Sequence, residues 1–280
     1  MKINRNPLII KGVKELHMDI CESGYARTDP KRWPGKDVQM PFSRLYLIKG
    51  GEGWLKTTGQ TVIMRPGYAY FIPTGIRFDY GCDDYVEKLY FHIRLIKPDG
   101  YDLAQGIDRF GECPINGEWL DRMIACYHSD RWLDAVALET GIWELLNRML
   151  QQFSEQNTPI PRYSPLVERT LQYVQQHVSM RLRARDIAAA LSISESTMVQ
   201  MFRRETGHTL HQYVEDLIFQ SAQTMLLQTE MPLGCISEEL GFCDSFYFSR
   251  RFRQRYGEPP SVYRRRLKTA GQALLPFKDS

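Results

Sequence analysis

The sequence predicts an α+β protein of two domains: a small β-barrel or two-sheet roll with trailing helices over residues 1–155, a linker over 156–165, and an all-α domain over 166–280. Three features carry that expectation. Short apolar runs between residues 44 and 95 are broken every few residues by Gly and Pro, the punctuation of strands and tight turns. A polar stretch with Pro159, Pro161 and Pro165 then interrupts the apolar pattern. Beyond it the apolar spacing becomes helical, and one arrangement occurs twice: a short helix, a turn, a longer helix. A chain of 280 residues also fits about two domains.

In the N-terminal half, residues 44–49 read as a strand, turned by Gly50-Gly51-Glu52-Gly53 into a returning strand at 54–57. Thr58-Gly59-Gln60 is a tight turn before 61–64. That strand runs into Arg65-Pro66-Gly67, and 70–72 runs into Pro73-Thr74-Gly75. Residues 87–95 form a strand with two unlike faces. Leu89, Phe91, Ile93 and Leu95 are apolar and need cover from a second layer, while Lys88, Tyr90, His92 and Arg94 point the other way. Together with Tyr80, the residues Lys88, Tyr90 and His92 suit a hydroxyl-rich ligand, because rings stack on it and polar tips hydrogen-bond it. The same alternation also describes a strand whose polar face meets water.

Residues 119–127 and 132–153 then read as helices. Trp132, Val136, Ile142, Leu145, Leu146, Met149 and Phe153 make a wide stripe on the second. It packs on the barrel, on the preceding helix, or on a second subunit.

In the C-terminal half, Asp186 to Leu191 is a short helix rich in small residues, Ser192-Ile193-Ser194 is a turn, and residues 195–205 form a helix stopped by Gly207. Ser196, Val199, Gln200 and Arg203 fall on one side of it, and Met198, Met201, Phe202 and Glu205 on the other. Leu210, Tyr213, Val214, Leu217, Ile218, Ala222, Met225 and Leu226 repeat at helical spacing and mark one connecting helix. Gly241 ends the next short helix, and Asp244 or Ser245 caps the following one. There Phe248 and Phe252 face inward, and Ser245, Phe246, Ser249, Arg250 and Arg253 face outward. Each arrangement is the layout of a helix-turn-helix, whose second helix enters a major groove of DNA. A small helical domain with a merely solvated basic face has the same local pattern.

The run Gly241-Phe242-Cys243-Asp244-Ser245-Phe246-Tyr247-Phe248-Ser249-Arg250-Arg251-Phe252, then Gly257-Glu258-Pro259-Pro260-Ser261-Val262-Tyr263-Arg264, closely resembles the C-terminal signature of the AraC/XylS family of bacterial transcription regulators. With the upstream motif and the connecting helix, the resemblance covers roughly residues 164–268. More loosely, Arg65-Pro66-Gly67 followed by Ile72-Pro73-Thr74-Gly75 resembles the cupin-like effector domain of many members, over about residues 20–98. The resemblance implies double-stranded DNA as partner and a small-molecule effector, often a sugar. It also implies an effector pocket lined by the 87–95 strand and a homodimer through the helices that follow. An activator of this family would also contact RNA polymerase. Gln200 and Arg250 would read base edges, Val199 and Phe246 would meet thymine methyls, and Arg203, Arg251 and Arg253 would hold phosphates. Family members often carry a basic residue near Ile218 or Ser221, where this chain is neutral.

Charge and cysteines fit this without deciding it. From residue 160 onward there are 16 Lys/Arg against 12 Asp/Glu, a net of +4, which leaves −1 for the rest. The six cysteines have no C-x-x-C spacing, against a zinc site or a disulfide framework. His17 and His92 are isolated in the N-terminal half, so no metal site, cofactor or catalytic constellation is expected. An enzyme carrying a related DNA-binding module, such as an alkyl-transfer repair protein, would use clustered cysteines. A regulator without an effector, acting through its abundance, is the other alternative. No signal-peptide core or long apolar run stands out, which points to a cytoplasmic chain without membrane contact.

Overall fold

The computed structural model describes residues 16–153 and 163–265. The chain divides into two compact units, one within Lys14–Pro159 and the other within Ile160–Lys268.

The first unit holds nine strands and two helices among the described residues. The strands are β1 His17–Thr28, β2 Gly35–Gln39, β3 Ser43–Gly51, β4 Gly53–Lys56, β5 Thr61–Met64, β6 Tyr68–Ile72, β7 Arg77–Gly81, β8 Val86–Ile96 and β9 Gly111–Pro114. They form two antiparallel sheets, ordered β1-β8-β3-β6-β9 and β2-β7-β4-β5, so the expected barrel takes the form of a two-sheet roll. On β8 the alternation holds as read. Leu89, Phe91, Ile93 and Leu95 are buried with Leu45 and Leu47 of β3 under two helices, α1 Gly117–Tyr127 and α2 Trp132–Leu150. Leu120 and Met123 of α1, and Ile142, Leu145, Leu146 and Met149 of α2, supply the cover. The other face of the long sheet points at the short sheet.

The stripe on α2 therefore divides. Its C-terminal part, including Leu146, belongs to the core of its own unit. Trp132, Leu133 and Val136 stand 87%, 82% and 57% exposed at its first turns. A dimer contact through Leu146 is excluded by that burial.

The second unit is helical: α3 Pro165–Gln176, α4 Ala184–Ala190, α5 Glu195–Thr206, α6 Leu210–Gln228, α7 Leu233–Glu239, α8 Ser245–Tyr256, and a further helical segment from residue 260. Ser164 caps α3 and Pro165 takes its first turn, where a missing N–H costs nothing. Pro165 thus starts a helix instead of ending the linker, and residues 156–162 of the expected linker lie outside the described residues. The spine is α6, opened by a reciprocal Thr209/Gln212 cap. It buries residues around most of its girth, with Tyr213 meeting Phe202 of α5 and Phe219 meeting Phe252 of α8. Phe202, Phe248 and Phe252 are fully buried, worth about 2–3 kcal/mol each, and they fix both outer helices to one rod. Ile218 is itself buried.

Candidate nucleic-acid interface and effector site

In both motifs the inward residues are those that the spacing selected. Met198 and Phe202 on α5, and Phe248 and Phe252 on α8, are buried. What remains outward on α5 is Ser196, Gln200 and Arg203, exposed, with Val199 half-buried; these four and Arg204 share one shallow surface depression. On α8 it is Phe246, Arg250 and Arg253, exposed, with Ser245 and Ser249 half-buried. Phe246 is 86% exposed, a large apolar ring with no protein partner to explain it. Such a face offers hydroxyl and amide groups, guanidinium forks and apolar tips, the chemistry that reads base edges and thymine methyls.

One expected phosphate contact fails. Arg251 is bound to Glu215 of α6 through Nη2, and its Nη1 donates to Gln254 at 3.1 Å. Its neighbour Arg255 donates to Asp216 at 2.6 Å. These two arginines lock α8 to the connecting helix, because position 251 lies on the flank beside α6. Arg250 and Arg253 keep the outward side.

The inner face of the long sheet corrects the reading that its polar residues meet water. Tyr80, Lys88, Tyr90 and His92 are 1%, 0%, 2% and 1% exposed. They converge with three residues the sequence did not single out: Trp33, Arg44 and Tyr46, all buried. Arg44 pairs across the ladder with His92, and Tyr46 with Tyr90. Arg44 Nη1 donates to the Tyr46 hydroxyl at 3.1 Å. Lys88 Nζ lies 3.3 Å from the Trp33 ring centre and 4.7 Å from that of Tyr46. Tyr80 reaches in from the short sheet, 5.0 Å from Trp33. Gly24 and Gly35 make room for this: a Cβ at Gly24 would sit 2.6 Å from the Tyr90 oxygen, and one at Gly35 would strike the Tyr80 ring. Arg44 and Tyr46 alternate with Leu45 and Leu47, so period two along β3 was the signal that could have found them.

At the edge of this cluster, Glu22 of β1 accepts from the Tyr90 hydroxyl at 3.2 Å and pairs with His92 Nδ1 at 3.0 Å. Burial works to raise the Glu22 carboxyl, but the bonds from His92 and Tyr90 and the Arg44 charge hold it below its ordinary value. Burial pushes His92 down to about 4, against the pull of Glu22, so the imidazole is neutral near pH 7. Burial, and then the Arg44 charge, hold Lys88 well below the ordinary ammonium range.

Burial pushes the Cys21 thiol up to about 11, the opposite of an activated nucleophile. No group of three or more His, Cys, Asp or Glu residues fit to hold a metal occurs among the described residues.

Comparison with known proteins agrees with the helical unit and extends beyond it. A family model described as a helix-turn-helix domain matches residues 187–266. The arabinose operon regulatory protein of Salmonella typhimurium is 26% identical over 234 residues, covering 79% of this chain and 82% of that protein. The MmsAB operon regulatory protein of Pseudomonas aeruginosa is 24% identical over 239 residues, covering 80% of this chain and 72% of its own length. Among solved structures, ToxT from Vibrio cholerae aligns with 90% of this chain and 99% of its own, at 12% identity and a TM-score of 0.46.

Proposed function

We propose, from the premise that this chain belongs to the AraC/XylS family of DNA-binding transcription regulators, that it activates transcription when a sugar or sugar derivative binds inside its two-sheet unit. The observation that carries the DNA half is the pair of 12-residue helices, α5 and α8, each held by two buried residues and each with an outward polar face. Ser196, Val199, Gln200 and Arg203 face one major groove, and Ser245, Phe246, Ser249, Arg250 and Arg253 face the next. The effector half is supported by the buried cluster of Tyr80, Lys88, Tyr90 and His92, and by similarity to an arabinose operon regulator across both units.

We assign the chain no catalytic step and no cofactor, since its relatives are operon regulators. Among the described residues no helix is long and apolar enough to cross a membrane, and we place the protein with its DNA in the cytoplasm. As an activator it would contact RNA polymerase. We assign the homodimer contact to the exposed Trp132, Leu133 and Val136. Leu133→Glu should then yield monomers in sedimentation; an unchanged dimer places the contact elsewhere.

Footprinting of the full-length chain on DNA selected from a random pool tests the DNA half. Two protected patches about 10 base pairs apart are expected. A single short patch sinks the two-groove reading.

A further inference from the structure

The buried cluster between the sheets is short of negative charge. Arg44 is 1% exposed and Lys88 is 0% exposed. A guanidinium keeps its proton in a protein, so Arg44 is a permanent buried cation. Its Nη1 is taken by Tyr46 and the Tyr80 hydroxyl lies near enough to act on its charge, but Nε and Nη2 have no partner at hydrogen-bond distance and angle. Those two N–H groups share one edge of the guanidinium fork, the edge that grips a carboxylate or phosphate with two parallel bonds. Lys88 Nζ has no hydrogen-bond partner either. The rings of Trp33 and Tyr46 beside it attract a cation but do not neutralise it. Its depressed basicity is what an ammonium without a counter-ion shows.

Among the described residues Glu22 is the carboxylate bonded into the cluster; it is held by Tyr90 and His92, and its charge offsets one of the two cations and leaves the other without a counter-charge. Three neutral groups also lack partners: Trp33 Nε1, the Tyr80 hydroxyl and His92 Nε2. Native interiors leave few such groups, and an uncompensated buried charge is the costliest kind. Two cations of like sign on neighbouring strands add repulsion. A neutral sugar bound among these groups would satisfy the hydroxyl, indole and imidazole. It would leave the charge as it is.

We propose that the effector is an acid: a small hydroxylated molecule with one anionic group, carboxylate or phosphate, gripped by the free edge of Arg44 and by Lys88. Its hydroxyls meet Tyr80, His92 and Trp33. This rests on the reading that the effector binds between the sheets. It narrows the ligand from sugars in general to sugar acids or sugar phosphates.

The test uses the full-length chain and matched pairs: galactose with galacturonate, glucose with gluconate, and glucose with glucose 6-phosphate. Inorganic phosphate at constant ionic strength is the minimal probe. Calorimetry and thermal unfolding are read for wild type, Lys88→Met, Glu22→Gln and His92→Gln. Acid members should bind and raise the unfolding midpoint where their neutral partners do not, and the carboxylate and phosphate arms tell the two sources apart. Lys88→Met keeps the stem and removes the charge. It should unfold at a higher temperature than wild type without ligand, yet bind the acid at least tenfold more weakly. Glu22→Gln, which removes a competing negative charge, should tighten it. Neutral sugars that bind as well as their acids, and lose binding in His92→Gln, would overturn the anion while keeping the site between the sheets. If no compound, phosphate included, distinguishes wild type from Lys88→Met or His92→Gln, both readings fall.

Discussion

The first helix-turn-helix turns on Ser192 and the second on Gly241, and both residues are left-handed, with φ of 55° and 78°. The surroundings match closely. Each motif has a 7-residue helix, then a 12-residue helix closed by a left-handed Gly. After each left-handed residue the next N–H reaches back to end the short helix, Ile193 to the Ala188 carbonyl and Phe242 to that of Ser237, both at 3.0 Å. The differences lie in what presses on the turn and in what faces out. Gly241 has Ser179 and Met180 against it, and the Met180 N–H donates to the Leu240 carbonyl at 2.9 Å. Outward, α5 offers Ser196 and Gln200 with Arg203, whereas α8 offers Phe246 with Arg250 and Arg253. One frame thus serves two chemistries: the first face sets hydroxyl and amide groups beside Arg203 and Arg204, and the second sets an exposed aromatic ring beside Arg250 and Arg253.

The largest effect should come from the turn. A Cβ at Gly241 would strike the Ser179 hydroxyl and sit 3.2 Å from the Met180 backbone nitrogen, in a region of φ that costs an L-residue about 1–2 kcal/mol. With the added crowding, Gly241→Ala should lower stability by about 3 kcal/mol in chemical denaturation. Ser192 already tolerates the same conformation with a side chain, so Ser192→Gly should gain about 0.5–1 kcal/mol. Equal and small effects at both turns would mean that the packing around Gly241 yields, and that the two motifs are interchangeable.

The outward faces come next. Arg250→Ala should cost about 1–3 kcal/mol on selected DNA and relax preference at one position. Arg253→Ala should weaken all sequences alike and reduce the salt slope by about 1. Gln200→Ala should cost less than Arg250→Ala, because a neutral amide forms the weaker hydrogen bonds. Competition binding on randomised sites measures all three. A Gln200 effect larger than that of Arg250 would reverse the assignment of α8 as the stronger reader.

How much of this was legible follows from where each signal resides. Helix period, caps and left-handed glycines are local, so α4, α5, α6 and the start of α8 were readable to within a residue or two, down to Gly207 and Asp244. The inward and outward sides of α5 and α8 followed from the same period. Strands β1, β2, β7 and β9 were not assigned, because their pairing partners are distant and their own alternation is weak; β1 pairs with β8 across the whole sheet order. The polar face of β8 was found by alternation, but its burial was not, since only the short sheet opposite decides it. Arg44 and Trp33 escaped for the same reason: a buried cation resembles a surface one in a string of letters. Arg251 was misassigned because its acidic partner, Glu215, sits on another helix.

The smallest expected effect separates the two helix starts. Asp244 caps α8, its Oδ1 accepting from the Tyr247 N–H at 2.7 Å. Ser194 occupies the same place before α5 but makes no capping bond; its hydroxyl lies 2.9 Å from that of Ser196. A carboxylate at a helix start also meets the positive end of the helix dipole. Asp244→Ala should therefore lower the folding equilibrium constant roughly three- to tenfold, and Ser194→Ala by much less. The hydrogen bond from the Tyr247 N–H, and then that from Cys243, hold the Asp244 carboxyl below its ordinary value. A depressed carboxyl contributes stability that is full above its unfolded value and fades as pH falls through the folded one. The gap between wild type and Asp244→Ala should hold from neutral pH down to about 4 and shrink below it. Asp244→Asn should keep most of the cap and lose that pH dependence, since an amide accepts the same bond and does not titrate. Urea unfolding of the three proteins at pH 7, 5 and 3.5 measures it. A gap that stays constant across that range would assign the cap to shape alone, and would make the charge at the start of α8 irrelevant to the difference between the motifs.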